Sequence, residues 1–195
     1  IARQTVRPFM KTFLTLSSHE PFDVPMRRLE HPYLNSVAYT DSCLGAFVDT
    51  LRQSPLWNDL LIVFVADHTM RYPAGIQEYE VKRHHIPMIW CGGAVRGHRV
   101  VEDYASQIDL AATLLAQMHI DYSDFTFSKN IADTTQRHFA YYTYKDGLGY
   151  ADAENRVVYD CDSESWLLKE GPQADTCAES AQAFLQKLYD DLGRR

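Results

Sequence analysis

Long basic stretches are missing from this 195-residue chain: no run of Lys or Arg exceeds the pairs Arg27-Arg28 and Arg194-Arg195, and the formal net charge is -7. A polyanion finds no electrostatic footprint on such a sequence, which argues against nucleic acid as a partner. Long apolar runs are missing too. The longest, residues 60–66, is far below the roughly 20 residues that span a bilayer, and the first residues read as neither a leader peptide nor an anchor. Cysteine is sparse. Cys43, Cys91, Cys161 and Cys177 show no C-x-x-C spacing, so neither a zinc ribbon nor a disulfide-rich scaffold is supported. Cys43 and Cys91 sit in helical and strand-like patterns and read as buried free thiols. Cys161 and Cys177 are the better candidates for a disulfide. No internal repeat or low-complexity linker interrupts the chain.

What is present is 46% hydrophobic residues and 12% aromatics, enough for one packed core and too few residues for two comfortable domains. The chain opens at Ile1, without Met, close to a strand-like segment, and reads as a piece of a longer protein. Residues 11–16 are β-prone and end in the polar cluster Ser17-Ser18-His19-Glu20-Pro21, which predicts a strand delivering a histidine to a loop. From residue 33 to 53, Val37, Leu44, Phe47, Val48 and Leu51 recur at helical spacing, with a stop at Ser54-Pro55. The continuous apolar run 60–66 predicts a strand buried on both faces, as in a parallel sheet. Residues 86–90 predict another strand, closed by Cys91-Gly92-Gly93, with Val100-Val101 as a further edge. Residues 106–118 predict a second helix with Ser106 as its N-cap. Residues 139–144, the Asp146-Gly147 turn and residues 156–159 predict an antiparallel meander, and residues 176–192 a terminal helix. The expected fold class is α/β: an α/β/α layered, mostly parallel sheet with a small antiparallel carboxyl-terminal appendage. Residues 1–120 form its core part and 121–195 the appendage.

Asp67-His68 follows the run 60–66 directly. The carboxyl ends of strands are where open α/β sheets place their ligand crevices, and a carboxylate beside an imidazole suits Zn²⁺ or Mn²⁺. The pair supplies two ligands, not a complete site; as a bare dipeptide it reads rather as a turn-capping Asp beside a surface His, and its context reverses that. His19 follows another predicted strand, and parallel neighbouring strands would bring it to the same sheet edge. There an imidazole can ligate metal, donate to a phosphate or sulfate oxygen, or protonate a leaving alkoxide. His84 and His85 precede the strand 86–90 and so belong to its opposite end, unless the polar loop 71–83 folds back over the sheet. In that case Arg83, His84 or His85 becomes a substrate-binding candidate; Arg71, close behind His68, is a further one through its planar guanidinium. Tyr141, Tyr142 and Tyr144 alternate as in a sheet with one packed and one open face.

Four segments, in order, carry a resemblance: Leu14-Thr-Leu-Ser-Ser-His-Glu-Pro-Phe22, Tyr39-Thr-Asp-Ser-Cys-Leu-Gly45, Val65-Ala-Asp-His68 and Gln107-Ile-Asp-Leu-Ala-Ala-Thr-Leu-Leu115. Over most of residues 11–120 the chain resembles the lipoteichoic acid synthase branch of the alkaline phosphatase superfamily, which also contains sulfatases and phosphoethanolamine transferases. The resemblance implies Asp67 and His68 as ligands of a divalent metal, Mn²⁺ or Zn²⁺ with Mg²⁺ or Ca²⁺ as alternatives, and His19 as a contact to the anionic headgroup. It further implies that the nucleophile and an acidic metal ligand belong to a preceding amino-terminal half, which these residues do not supply. Thr69-Met70 departs from the pattern, which usually has Gly after the His.

On this resemblance the expected parent is an extracytoplasmic, membrane-anchored bacterial enzyme that moves a phosphoglycerol- or phosphoethanolamine-type headgroup through a covalent enzyme intermediate. The expected substrate is an anionic phospholipid headgroup or a phosphate or sulfate ester. The alternatives are a sulfatase or phosphoester hydrolase and, in another class, a non-catalytic domain that binds anionic glycans or has a structural role. The isolated chain, without a nucleophile, is expected to be inactive.

Overall fold

A computed structural model describes residues 8–195 of the chain. By contacts the chain falls into two compact units, residues 1–64 with 89–98 and residues 65–88 with 99–195.

In the first unit the longest element is helix α1, Pro32–Arg52. Pro32 opens it with its φ already set for a helix, and the His31 ring accepts the Tyr33 N–H at 3.2 Å. Buried Asn35 fixes the incoming chain: its Oδ1 accepts the N–H groups of Arg28 and Leu29 at 2.7 and 2.8 Å, and its Nδ2 donates to the Leu29 carbonyl. Of the predicted apolar stripe Leu51 is buried, while Val37 and Phe47 are exposed. Residues 11–16 form no strand. Phe13, Leu14 and Leu16 are 86%, 73% and 73% exposed; strand propensity yields a strand only where a ladder partner and a packed face exist, and among the described residues these have neither.

Strands β1, Ile62–Val65, and β2, Met88–Cys91, pair as a two-stranded sheet. Each is shorter than its apolar run, and β1 is half-buried rather than covered on both faces. Two strands alone offer little surface for such burial. The turn after β2 returns to the start of β1: Gly93 N–H reaches Trp57 O at 3.0 Å and Ala94 N–H reaches Leu60 O at 3.2 Å. Gly92 has φ of 118°, and a Cβ there would stand 2.1 Å from Leu60 O. Val100 and Val101 add no edge strand and are exposed.

The second unit holds helix α2, Asp109–Gln117, the antiparallel sheet β3 Ala140–Tyr144, β4 Gly147–Ala151, β5 Arg156–Asp160, β6 Ser165–Glu170, in that order, and helix α3, Ala174–Leu192. The predicted meander and terminal helix are thus present, with β4 and β6 completing a four-stranded sheet. One face carries Tyr141, Tyr150 and Val157, which pack with Cys177, Ala178 and Ala181 of α3 into the core. The opposite face is built from cross-strand Tyr–Gly pairs. Tyr142 lies opposite Gly149 and Tyr144 opposite Gly147, and a Cβ on Gly149 would stand 2.0 Å from the Tyr142 ring. The aromatic ring covers the bare backbone of its partner, a known device for glycines in sheets.

Three expectations are corrected here. Ser106 does not cap α2, which starts three residues later; its hydroxyl donates to Tyr141 O at 3.0 Å and accepts Tyr141 N–H at 2.7 Å. Cys161 and Cys177 are free thiols, the first exposed and the second fully buried, so they form no disulfide. Cys43 is exposed and Cys91 half-buried rather than both being core thiols. Cys177 is held by polar neighbours instead of a bridge: Arg137 Nη2 stands 3.1 Å from its sulfur and 2.8 Å from Asp152 Oδ2.

Candidate functional site

Asp67 and His68 leave the carboxyl end of β1 after a single intervening residue, Ala66. The strand end is pinned by Gln107, whose Nε2 donates to Ala66 O at 2.6 Å and to Asp67 O at 3.3 Å. Gln107 belongs to one of the four recognised segments, yet its role as an anchor has no signature in the sequence, because an amide that bonds backbone carbonyls fits any residue type.

Local hydrogen bonds fix which atoms of the pair face outward. The His68 N–H donates to Asp67 Oδ1 at 2.8 Å, which leaves Oδ2 uncommitted. His68 Nδ1 lies 3.0 Å from Thr69 O; a carbonyl only accepts, so Nδ1 carries the proton and Nε2 presents its lone pair. Nε2 and Asp67 Oδ2 stand 3.5 Å apart, with both side chains more than three-quarters exposed. Two donors held about 2.0–2.1 Å from a tetrahedral divalent ion are separated by roughly 3.3 Å. The pair therefore fits one edge of a coordination shell. It does not complete one: among the described residues no group of three or more His, Cys, Asp or Glu side chains forms a metal cage.

Thr69, where the family pattern usually has glycine, has a task. Its hydroxyl donates to the carbonyl of Arg83, closing the 70–82 excursion into a loop that returns beside the metal-ligand candidates. Arg71 is ion-paired with Glu78, and that guanidinium, followed by the nearby charges of Arg83 and Lys145, holds the Glu78 carboxyl below its ordinary range. Arg83 and His84 lie in a short 3₁₀ turn, Val81–His84. The His84 ring stacks on Tyr142 at 4.0 Å between centroids and 17° between planes. Its Nε2 lies 2.7 Å from Glu78 O, so that nitrogen is the protonated one. Burial drives the His84 pKa down, against the Glu78 carbonyl bond that raises it, and at neutral pH the ring stays uncharged. His84 is thus committed to packing the loop onto the sheet. His85 is exposed.

His19 lies in the first unit, on a turn closed by His19 N–H to Leu16 O at 3.1 Å and Phe22 N–H to His19 O at 3.0 Å. The Phe22 ring meets the Tyr33 ring of α1 edge-on at 5.5 Å, which anchors the loop to the helix. His19 is exposed and its Nδ1 lies 2.9 Å from Glu20 O. By the same reasoning its Nε2 is the free nitrogen.

The sulfatase family model matches residues 1–120, and the chain belongs to that family. Among curated proteins it is similar to lipoteichoic acid synthase 2 of Bacillus subtilis, at 26% identity over 63% of this chain and 22% of that protein. It is also similar to the lipoteichoic acid synthase-like protein YvgJ of the same organism, at 30% identity over 32% of this chain and 12% of that one. The chain spans less than a quarter of the length of these relatives. A crystal structure of a Vibrio parahaemolyticus protein in the alkaline phosphatase superfamily matches with a TM-score of 0.65 at 24% identity, over 90% of this chain and 48% of that one. The α/β fold class and the lipoteichoic acid synthase-like resemblance read from the four segments are both borne out.

Proposed function

We propose that the chain is the carboxyl-side part of an enzyme that transfers or hydrolyses phosphate or sulfate esters, with transfer of a phosphoglycerol-type headgroup as its leading form. The observation that carries this reading is the Asp67–His68 pair: a free carboxylate oxygen and a free imidazole nitrogen 3.5 Å apart at a strand end, inside the segment that matches the sulfatase family. A divalent ion held there supplies Lewis-acid chemistry, drawing charge from ester oxygens and lowering the pKa of a hydroxyl. Asp67 and His68 hold and orient; Gln107 fixes the strand end from which they project. His19, its Nδ1–H held by Glu20 O, reaches the anionic headgroup through Nε2, which in the doubly protonated ring donates a hydrogen bond to it or a proton to the leaving oxygen. The nucleophile and the remaining acidic ligand come from a further part of the same domain, and a covalent intermediate formed on that nucleophile passes to an acceptor or to water.

Exposed apolar residues in the first unit, Met10, Phe13, Leu14 and Leu16, support that further part as the partner of this chain, because such surface is ordinarily covered. Placement outside the cytoplasm, in a bacterial envelope, rests on likeness to the lipoteichoic acid synthases. Among the described residues no helix is long and apolar enough to cross a membrane. The alternative reading is a non-catalytic domain that binds anions.

Activity separates the readings. In the full-length protein, with a chromogenic phosphodiester or a fluorescent phosphatidylglycerol as substrate, Asp67→Ala is expected to lower kcat/KM by more than about 100-fold, beyond what loss of an outer-shell partner costs. His19→Ala is expected to lower it by about 100-fold while the metal stays bound. Full activity in Asp67→Ala rules the assignment out.

A further inference from the structure

Among the described residues, three other than glycine adopt a left-handed backbone: Phe22 at φ of 61°, His119 at 57° and Glu164 at 49°. His119 follows the last turn of α2, and Glu164 lies in the turn between β5 and β6; helix ends and tight turns are where such backbone is ordinary. Phe22 ends no helix and joins no strands. A bulky side chain in this region crowds its own backbone, so the conformation is unfavourable and persists only where the surroundings impose it. Glycine takes the same φ without that crowding, which makes the ring, rather than the angle, the feature to explain.

The ring does what glycine cannot. It meets Tyr33, in the first turn of α1, edge-on at 5.5 Å, an attractive arrangement for two aromatic rings, and the Tyr33 N–H is held in turn by the His31 ring. On its other side Phe22 reaches His19: its N–H donates to His19 O at 3.0 Å, and the His19 N–H donates to Leu16 O at 3.1 Å. His19 is thus held through its N–H, its carbonyl and, by way of Nδ1, Glu20 O. All of these bonds stay within residues 16–22. Among the described residues the amino-terminal side offers that turn no packed face, since residues 11–16 form no strand and Leu14 and Leu16 are exposed. The hold comes from the carboxyl-terminal side, through the Phe22 ring, with Val24 buried two residues further on.

We propose that Phe22 is a positioning residue for His19: its strained backbone turns the ring onto Tyr33, and that contact fixes the turn that aims the free Nε2 of His19. With the Phe22 N–H held on His19 O, φ decides the direction in which Cβ leaves the backbone, so an extended angle would swing the ring away from Tyr33. Phe22 itself touches no reacting atom. The role rests on the reading of His19 as a headgroup contact given above; the strained angle and the ring contact do not. Strain kept at one residue so that a neighbour is held ready is a known use of such backbone.

A double-mutant cycle in the full-length protein, with fluorescent phosphatidylglycerol as substrate, tests this. Phe22→Ala is expected to lower kcat/KM by about tenfold, the effect of a displaced group rather than a missing one, with metal content unchanged. Phe22→Tyr keeps the ring and is expected to keep the activity. In a His19→Ala background Phe22→Ala is expected to cost nothing further, because its effect passes through that imidazole. Phe22→Gly separates positioning from stability: it relieves the backbone, so its denaturant midpoint should lie above that of Phe22→Ala while its kcat/KM falls as far. Activity that follows the midpoint instead, an undiminished loss in the His19→Ala background, or full activity in Phe22→Ala overturns the positioning role. If His19→Ala itself costs nothing, the headgroup contact and this role fail together, while the ester-processing reading, which Asp67→Ala tests, stands.

Discussion

At the scale of single residues, the titrating group with most to say is Asp152. Burial works to raise its carboxyl, but the Arg137 guanidinium, the Asn155 side chain and the N–H groups of Glu154 and Asn155 outweigh burial and hold it at about 2. An unfolded Asp titrates near 3.9, so the folded state binds this proton more weakly. The contribution to stability is therefore fully present above about pH 4 and is lost as pH falls through 2, with a size of about 2 kcal/mol. In denaturant titrations Asp152→Asn is expected to be less stable than the native chain at pH 6 and to lose less stability between pH 4 and pH 2. An identical acid limb for the two proteins would show that this carboxylate is not held as described. The His68 and His19 rings illustrate a different residue-scale rule: a carbonyl next to Nδ1 decides the tautomer, and a free Nε2 follows from one backbone bond.

At the scale of elements, the Tyr–Gly pairs across β3 and β4 carry the clearest consequence. Adding a methyl group at Gly149 drives it into the Tyr142 ring, and Tyr142 is itself wedged against His84. Gly149→Ala is expected to destabilise the protein by about 1–3 kcal/mol, the usual cost of overpacking, read as a lower denaturant midpoint. A neutral Gly149→Ala would mean that the ring is free to move. This hairpin was also the most legible part of the chain. Aromatic alternation at Tyr142 and Tyr144 and the Asp146-Gly147 turn are local signals, and local hydrogen bonding meets them.

Residues 11–16 have equal propensity and no ladder partner among the described residues, and they form no strand. Ser106 shows a second kind of failure. Its type suits an N-cap, but a hydroxyl within reach of Tyr141, 35 residues away, makes the long-range bond instead, and no short-range pattern encodes that choice. The apolar run 60–66 marked a strand correctly and overstated its burial, because burial depends on neighbouring strands that the run itself does not contain.

For the whole molecule, the informative contrast is between the two units. The second carries a closed core of Tyr141, Tyr150, Val157 and the small residues of α3. The first displays Phe13 and Leu16 to solvent. The candidate site was legible in part. Asp67 and His68 announce themselves by position after a strand, whereas His84 is brought against Tyr142 only by the fold-back of the loop onto the sheet. A histidine and a tyrosine 58 residues apart leave no joint signature in sequence.

The central claim is that Asp67 and His68 hold a divalent metal in the complete protein, and metal content tests it most directly. Elemental analysis of the full-length protein, purified without chelator, should give close to one Mn²⁺ or Zn²⁺ per chain, and the Asp67→Ala, His68→Ala double variant should give none. A metal-free full-length protein, or a double variant that keeps its metal, would contradict the account and leave the anion-binding domain as the better description.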